Sequence, residues 1–467
     1  MEGTPNLFAY VALLSWPLVA LVLYRTRPMV EATIWTILGG FLLLPVDVSI
    51  KIPMIPVFDK NSIPNICALI GCTAVSRRAP QPRRFGSIEF LIAIYIASPI
   101  ITSLLNADPI VIDTLTLPGV GSYDGISAAI GEFVFLLSFL IGRRFLRNAA
   151  DHEQILRALV ISGLAYSLPM LFEMRFSPQL HNWVYGFHPS QFVQSLREDG
   201  YRPMVFTGHG LIAAFFLMTT VVAATTLWRI RVRVFNLPPA GVTIYLAGIL
   251  VLCRSAGALV YGMILTPLVR FASVRLQLRI AVLLVAVAVA FPILRTADLF
   301  PTTTLVDIAA TLNRERAESL QYRFDHEKSL LARANERFWF GWGRYGRSRV
   351  YDEYGIDRSV TDGYWIITLG QYGFIGFMIQ FLLLTLPVFL AVFALKYVAS
   401  LREGLTLAAL SLIVAIGVVD QLPNSSVGTW TLLLTGALCG RAELLLASRG
   451  RVKSRQPTKL ANVRIGQ

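Results

Sequence analysis

Arg316 and Arg323 stand seven residues apart in a stretch, Leu305 to Phe338, that contains neither Pro nor Gly and has a helix-forming composition. Seven residues bring an α-helix back to within about 20° of the same face. The two guanidinium groups would then share one cationic edge. Guanidinium stays charged at any relevant pH and grips phosphate oxygens in a fork, so this spacing suits a diphosphate. The alternative is a solvated face on which these arginines pair with Glu315, Glu318, Glu327 or lipid headgroups. Further on, Asp362 precedes Gly363 and Tyr364, where the chain becomes apolar again. A carboxylate there can accept a proton from a sugar hydroxyl, or cap the helix that follows. His326 is the rival base, its alternative being a solvated histidine on a charged helix.

Other polar residues cluster at the edges of apolar runs. Arg197 and Arg202 bracket Glu-Asp-Gly-Tyr ahead of one run, and His209 follows at its start. Arg254 sits between two runs in Cys253-Arg254-Ser255. Each is either a ligand-holding cation or an interfacial, snorkelling arginine. Glu132 and Asp420 fall in or near apolar runs, where a carboxylate is costly and is either functional or hydrogen-bonded between helices. Gly341, Gly343 and Gly346 do not form a nucleotide-phosphate loop, because no strand precedes them and no helix of the required kind follows. They read as a tight turn that seats a loop against a bundle.

The elements that must position these residues are membrane helices. The chain has 467 residues, 55% apolar and 15% charged, with a mean hydropathy of +0.60. A soluble domain is about 45–50% apolar and about 25% charged. The apolar residues fall in runs of bilayer-crossing length, which excludes a soluble enzyme, a disordered scaffold and a disulfide-rich module. The reading is an all-α polytopic membrane protein of about 12–13 transmembrane helices, with 13 spans placed between residues 7 and 447. The run at 63–76 is short. The run at 361–395 is too long for one straight span and is expected to begin as an interfacial helix. The start lacks the basic region of a cleaved signal peptide, so residues 7–24 read as a retained first span. Cys67, Cys72, Cys253 and Cys439 all lie in apolar runs, which indicates neither a disulfide framework nor a zinc site.

The net charge of +14 is distributed by side. Segments 25–31, 77–84, 143–153, 229–233, 270–279, 396–403 and 441–467 hold 24 of the 42 Lys/Arg but 5 of the 28 Asp/Glu. That is the positive-inside asymmetry, and it argues for the membrane and against nucleic acid. It puts the N-terminus outside, the C-terminus inside, and the loops at 175–203 and 296–360 outside. The second of these loops has 65 residues, with ten basic and ten acidic side chains. The organisation expected is helices 1–10 over 1–295, a large, partly helical periplasmic loop over 296–360, C-terminal helices over 361–447, and a basic cytoplasmic tail over 448–467. Arg449, Arg451, Lys453, Arg455 and Lys459 of that tail would touch anionic lipid headgroups.

Four motifs in order, YRPMVFTGHGLIAAFFLMTT, LVLCRSAGALVYG, RFWFGWGRYG and VTDGYWIITLGQYGFIGFM, resemble the O-antigen ligase/polymerase superfamily over roughly residues 200–380. What the resemblance implies is a bacterial inner-membrane glycosyltransferase that moves glycan from undecaprenyl diphosphate on the periplasmic side, without nucleotide sugar, metal or other cofactor. By motif, Arg202 and Arg254 take two diphosphate-binding positions and Arg323 the loop position, while Arg316-x3-Leu320 resembles the Arg-x3-Leu motif of ligases. Ligases typically carry a histidine at the start of the span after the loop. Asp362 stands there in this sequence, which turns the expectation towards a polymerase that extends an O-antigen or exopolysaccharide.

In that expectation Asp362, Arg323 and His326 serve catalysis, and Arg202, Arg254, Arg316 and Arg323 hold the diphosphate. Trp342, Tyr345 and Tyr364 stack on sugars, the alternative for these aromatics being an interfacial belt. The partners implied are the lipid-linked donor, an acceptor glycan or glycolipid, membrane lipids and polysaccharide assembly proteins. The competing functions are an O-antigen ligase with a lipid A-core acceptor, and a lipid-linked oligosaccharide flippase. A flippase would need paired midplane charges or broken helices and would have no use for a 65-residue outer loop.

Overall fold

The structure, a computed structural model, describes residues 2–51, 57–76, 86–197, 200–312 and 314–454. It is built from helices α1 (Leu7–Thr26), α2 (Met29–Leu43), α3 (Ser62–Val75), α4 (Ser87–Leu104), α5 (Ser122–Phe145), α6 (Ala149–Phe176), α7 (Leu180–Tyr185) and α8 (Gly210–Arg229). These are followed by α9 (Pro239–Leu252), α10 (Ala256–Phe271), α11 (Val274–Thr296), α12 (Thr302–Leu312), α13 (Arg314–Asn335), α14 (Tyr364–Ala394), α15 (Leu401–Asp420) and α16 (Thr429–Ser454). Among the described residues the strands form only two-stranded pairs. Nine helices there are long and apolar enough to cross a membrane, and α2, α3, α9 and α10 are shorter apolar helices. Together these thirteen coincide one for one with the thirteen apolar runs of the sequence. The protein is an all-α, multi-pass membrane protein.

Burial sorts the helices into layers. Almost all of α8 and α15 is enclosed, although both are apolar on every side, as suits the centre of a bundle. By contrast, α1 turns Leu7, Phe8, Leu14, Leu18 and Val22 outward, as a lipid-facing helix does. The seam between α5 and α16 is closed by small residues. A Cβ at Gly436 would lie 2.0 Å from the Phe139 carbonyl oxygen, and one at Gly440 would lie 2.1 Å from that of Arg143. The absence of side chains lets the two backbones touch, as membrane helices commonly do.

The helix expected from the composition of Leu305–Phe338 is present: α12 and α13 are helical on both sides of residue 313, which lies outside the described residues, and α13 runs to Asn335. The long run after the loop is not one straight helix: α14 begins at Tyr364 and is broken inside by Gly373, at φ 67° and ψ −170°. The glycine-rich turn causes and repairs that break. Gly341 sits so close that a Cβ on it would lie 2.5 Å from the Gly373 nitrogen. The Trp342 and Gly343 N–H groups donate to the carbonyls of Gly370 and Gln371 at 2.9 Å each, and the Phe374 N–H donates to the Phe338 carbonyl at 2.7 Å. Backbone groups released by the broken helix are thereby satisfied by the turn. The loop is riveted to α14.

The start of the chain confirms which loops share a face. Glu2–Gly3 pairs antiparallel with Phe187–His188 in the loop between α6 and α8. Of the tail residues expected at the opposite face, Arg455 and Lys459 lie outside the described residues, as do residues 77–85.

Candidate functional site

A polar cavity of about 590 Å³ opens where α13, the start of α8, the start of α14 and the α15–α16 connection converge. This is within the usual range for small-molecule sites, about 300–1,000 Å³. Arg197, Arg202, His209, Arg323, Asp362 and Asn424 contribute to its wall. The sequence therefore brings Arg202, Arg323 and Asp362 together from three segments that are far apart along the chain.

Each wall has a local cause. The segment before α8 is pinned by Glu173, a fully buried carboxylate at the end of α6. Its Oε2 accepts the N–H groups of Met204 and Val205 at 2.8 and 2.7 Å, and its Oε1 that of Leu180 at 3.1 Å. Three bonds to an ionised acceptor are strong ones, and they fix the segment between Arg202 and His209. Arg202 is further aligned by donating from Nη2 to the Arg254 carbonyl at 3.3 Å. Arg254 itself has φ 53°, a left-handed conformation uncommon for a residue with a side chain.

His209 caps α8 by accepting the Leu211 N–H on Nδ1 at 3.1 Å, which leaves the proton on Nε2 to be donated to Gln194 Oε1 at 3.1 Å. Burial first, then Arg202 and Arg197, push its pKa below the usual imidazole value. It is therefore neutral at physiological pH.

On α13, Arg323 Nε lies 3.5 Å from Asp362 Oδ2. That helix is held to α11 through Arg295, whose Nε meets Glu327 Oε2 at 3.2 Å and whose Nη2 donates to the Phe324 carbonyl at 3.2 Å. Glu327 is thus committed to Arg295, and Arg323 faces the cavity. Asp362 does not cap α14. The cap position belongs to Gly363 and has no side-chain bond. The Tyr364 N–H donates instead to the carbonyls of Gln421 and Asn424, both at 3.0 Å. The 421–426 loop keeps this shape because Asp420 accepts from Asn424 Nδ2 at 2.9 Å and from Ser426 Oγ at 3.1 Å. Asp420 thus bonds to the loop that follows its own helix and not, as weighed from sequence, between helices.

The electrostatics favour an anion. Among the described residues, Arg197, Arg202 and Arg323 face the cavity against the single carboxylate of Asp362. Arg202 Nε is buried without a hydrogen-bond partner, and its pKa is pushed down to about 10 by burial and by Arg197. It stays protonated at neutral pH with a donor unmet, and an unmet buried donor costs about 1–3 kcal/mol until something accepts from it. Beside the polar cavity runs an apolar crevice lined by Phe41, Phe215, Val414 and Trp430, and Ile212 and Ser426 belong to both.

Several residues singled out from sequence lie elsewhere. The guanidinium of Arg254 packs over Gly200 of the Leu196–Arg197/Gly200–Tyr201 hairpin, 3.5 Å from where a Cβ would be, and does not line the cavity. Arg316 is on α13, but its side chain is outside the described residues. His326 is half-buried against the edge of Tyr322, ring centroids 4.3 Å apart, and it is Tyr322 that reaches the cavity. Trp342 is buried, with the guanidiniums of Arg333 and Arg337 at 3.4 and 4.4 Å from its ring centroid, and its Nε1 donates to the Arg333 carbonyl. Buried against two arginines, it is a rivet of the turn and not an open sugar platform. Tyr345 is exposed and donates to Asp124 Oδ1 at 2.9 Å. Tyr364 lines a different cavity.

Residues 421–426 and Gln194 escaped the sequence reading. Only the Pro-Asn-Ser-Ser turn chemistry beside the intramembrane Asp420 signals the first. The cysteines Cys67, Cys72, Cys253 and Cys439 are free thiols. No protein-family model matches the chain, and no curated protein matches it.

Proposed function

We propose that this protein is a glycosyltransferase of the inner membrane that polymerises a surface polysaccharide, transferring glycan from undecaprenyl diphosphate to an acceptor sugar hydroxyl at the periplasmic face. One observation carries the reading: among the described residues, three arginines and one carboxylate face a single cavity at the ends of apolar helices, beside an apolar crevice. A diphosphate ester matches the cations.

In this reading the acceptor oxygen attacks the anomeric carbon of the donor. The bond from that carbon to the diphosphate oxygen breaks, and the diphosphate leaves with the bonding electron pair. Arg197, Arg202 and Arg323 stabilise the charge that develops on it; preorganised donors of this kind are typically worth about 10²–10³-fold in rate. The hydroxyl proton passes to Asp362. When the diphosphate takes Arg323 as a partner, the carboxylate of Asp362 is released from its ion pair. His209 accepts the Leu211 N–H on Nδ1 and donates its Nε2 proton to Gln194, so both ring nitrogens are committed and it does not serve as the base.

The test is polymer length on gels from cells lacking the gene, complemented with the wild type, Arg323→Ala or Asp362→Ala at matched protein levels. The expected result is loss of long chains while single-repeat product persists. Full-length polymer left on the carrier lipid would identify a ligase acting on a lipid A-core acceptor instead. Normal polymer with Arg323→Ala would remove that arginine from the site.

A further inference from the structure

A second cavity, of about 330 Å³, shares no lining residue with the first, although Tyr364 in its wall is two residues from Asp362. Asp59 and Asn61 line one side of it, Ser127 and Glu132 of α5 another, and Arg344 of the glycine-rich turn closes it. Glu132 is the centre of a network drawn from three parts of the fold. Its Oε2 accepts from the Tyr95 hydroxyl at 2.6 Å, and its Oε1 accepts from the Tyr372 hydroxyl at 3.0 Å and from Arg344 Nη2 at 3.5 Å. Arg344 Nε also donates to the Tyr372 hydroxyl at 3.2 Å. Gln380 donates to the Tyr95 hydroxyl at 3.2 Å and also bonds the Tyr364 hydroxyl.

The network leaves capacity unspent. An ionised carboxylate offers about four acceptor positions and a guanidinium about five donors. The bonds above use three of the former and two of the latter. Among the described residues the balance of charge is the reverse of the first cavity, with two carboxylates, Asp59 and Glu132, against one cation. A diphosphate would be repelled here. An apolar occupant would strand the remaining acceptor of Glu132 and the remaining donors of Arg344. A ligand of hydroxyl groups satisfies both, since each hydroxyl donates and accepts, and Phe135 in the wall gives an apolar surface for the C–H face of a ring.

We propose that this second cavity binds sugar rings of the acceptor chain through their hydroxyls, alongside the cavity that holds the diphosphate. The inference rests on the glycan-transfer reading and adds a place for the acceptor. It divides recognition between an anion site and a polyol site on either flank of residues 361–364.

Single-cysteine probes test it on the full chain in membrane vesicles, with Cys67 replaced by Ser because the other three cysteines are buried. Ser127→Cys and Asn61→Cys place thiols on opposite walls of the second cavity, and Ser425→Cys places one in the first. The rate of labelling by a membrane-impermeant maleimide is measured alone, with the free oligosaccharide released from the cell's own polysaccharide, and with sodium pyrophosphate.

The oligosaccharide is expected to slow labelling at Ser127→Cys and Asn61→Cys severalfold, with pyrophosphate without effect there. No protection by the oligosaccharide, protection by pyrophosphate, or thiols that never react would each overturn the proposal. Pyrophosphate protection of Ser425→Cys alongside any of those failures leaves the transfer reading standing. Oligosaccharide protection in the second cavity with no pyrophosphate effect on Ser425→Cys would keep the sugar site and remove the diphosphate chemistry.

Discussion

Two sets of arginines at opposite ends of the bundle have the same chemistry and different lives. Arg143, at the end of α5, has a side chain 4% exposed and lies 2.8 Å from Glu89 of α4 and 2.5 Å from Glu443 of α16. Glu443 is fourteen residues along α16 from its start beside the cavity, about 21 Å of helix rise. At the cavity end, Arg323 is 41% exposed and shares one carboxylate at 3.5 Å. Arg202 has a buried Nε with no partner. A guanidinium whose fork is filled by two carboxylates has become a bolt between three helices. A guanidinium whose donors are unmet, in a cavity with room for a ligand, is held ready for one. The distinction lies in the count of satisfied donors, not in residue type or burial.

The largest effect that sharpens this contrast is on transfer. Arg202→Ala is expected to lower glycan transfer by about 10²–10³-fold with the melting temperature of the purified protein unchanged. A drop in melting temperature as large as that of Arg143→Met would break the comparison. Next comes Arg143→Met itself, which leaves Glu89 and Glu443 facing each other partly buried. Discounted for their partial exposure, that costs roughly 2–3 kcal/mol of stability, read as a lowered denaturation midpoint in detergent, with transfer per folded molecule retained.

Glu173→Gln falls between the two. Replacing one carboxylate oxygen by an NH₂ group opposes backbone donors, a cost of about 2 kcal/mol. It should loosen residues 202–209 and lower transfer by about tenfold, since misplaced groups lose rate steeply. Hydrogen exchange at Met204 and Val205 would report the loosening.

The smallest effect is one of pH. Burial pushes the His181 pKa down to about 4, while an unfolded histidine titrates near 6.5. Between those values the unfolded segment binds more protons, so local stability falls as pH drops below about 6.5 and is fully lost by about pH 4. From pH 7 to pH 5.5 the change is about 1 kcal/mol, seen as faster amide exchange over 180–188. His181→Gln should abolish that pH dependence.

The thirteen apolar helices were legible in the sequence because bilayer length and hydropathy are local properties. So was the turn at Gly341–Gly346. The break in α14 was not, because its cause is the turn around Gly341, thirty residues upstream of Gly373. Of the candidate site, Arg202 and Asp362 were found by residue type at the edges of apolar runs and Arg323 by its helical spacing from Arg316, and the fold gathers them. A tryptophan in a glycine-rich turn looks available in the sequence, and the burial of Trp342 against Arg333 and Arg337 shows only in the fold. Asp362 carried a capping alternative that only the backbone could remove, by giving the cap to Gly363. The roles of Glu173 and residues 421–426 depend on bonds between segments distant in sequence, which no periodicity records.

The central claim is that the arginine cavity holds a diphosphate. It is tested most directly by the equilibrium binding of undecaprenyl diphosphate to the full chain in lipid nanodiscs, wild type against Arg202→Ala/Arg323→Ala, with undecaprenyl monophosphate as reference. The account expects the double variant to bind the diphosphate at least about tenfold more weakly and to lose the preference for diphosphate over monophosphate. Equal affinity of the two proteins for the diphosphate would contradict it.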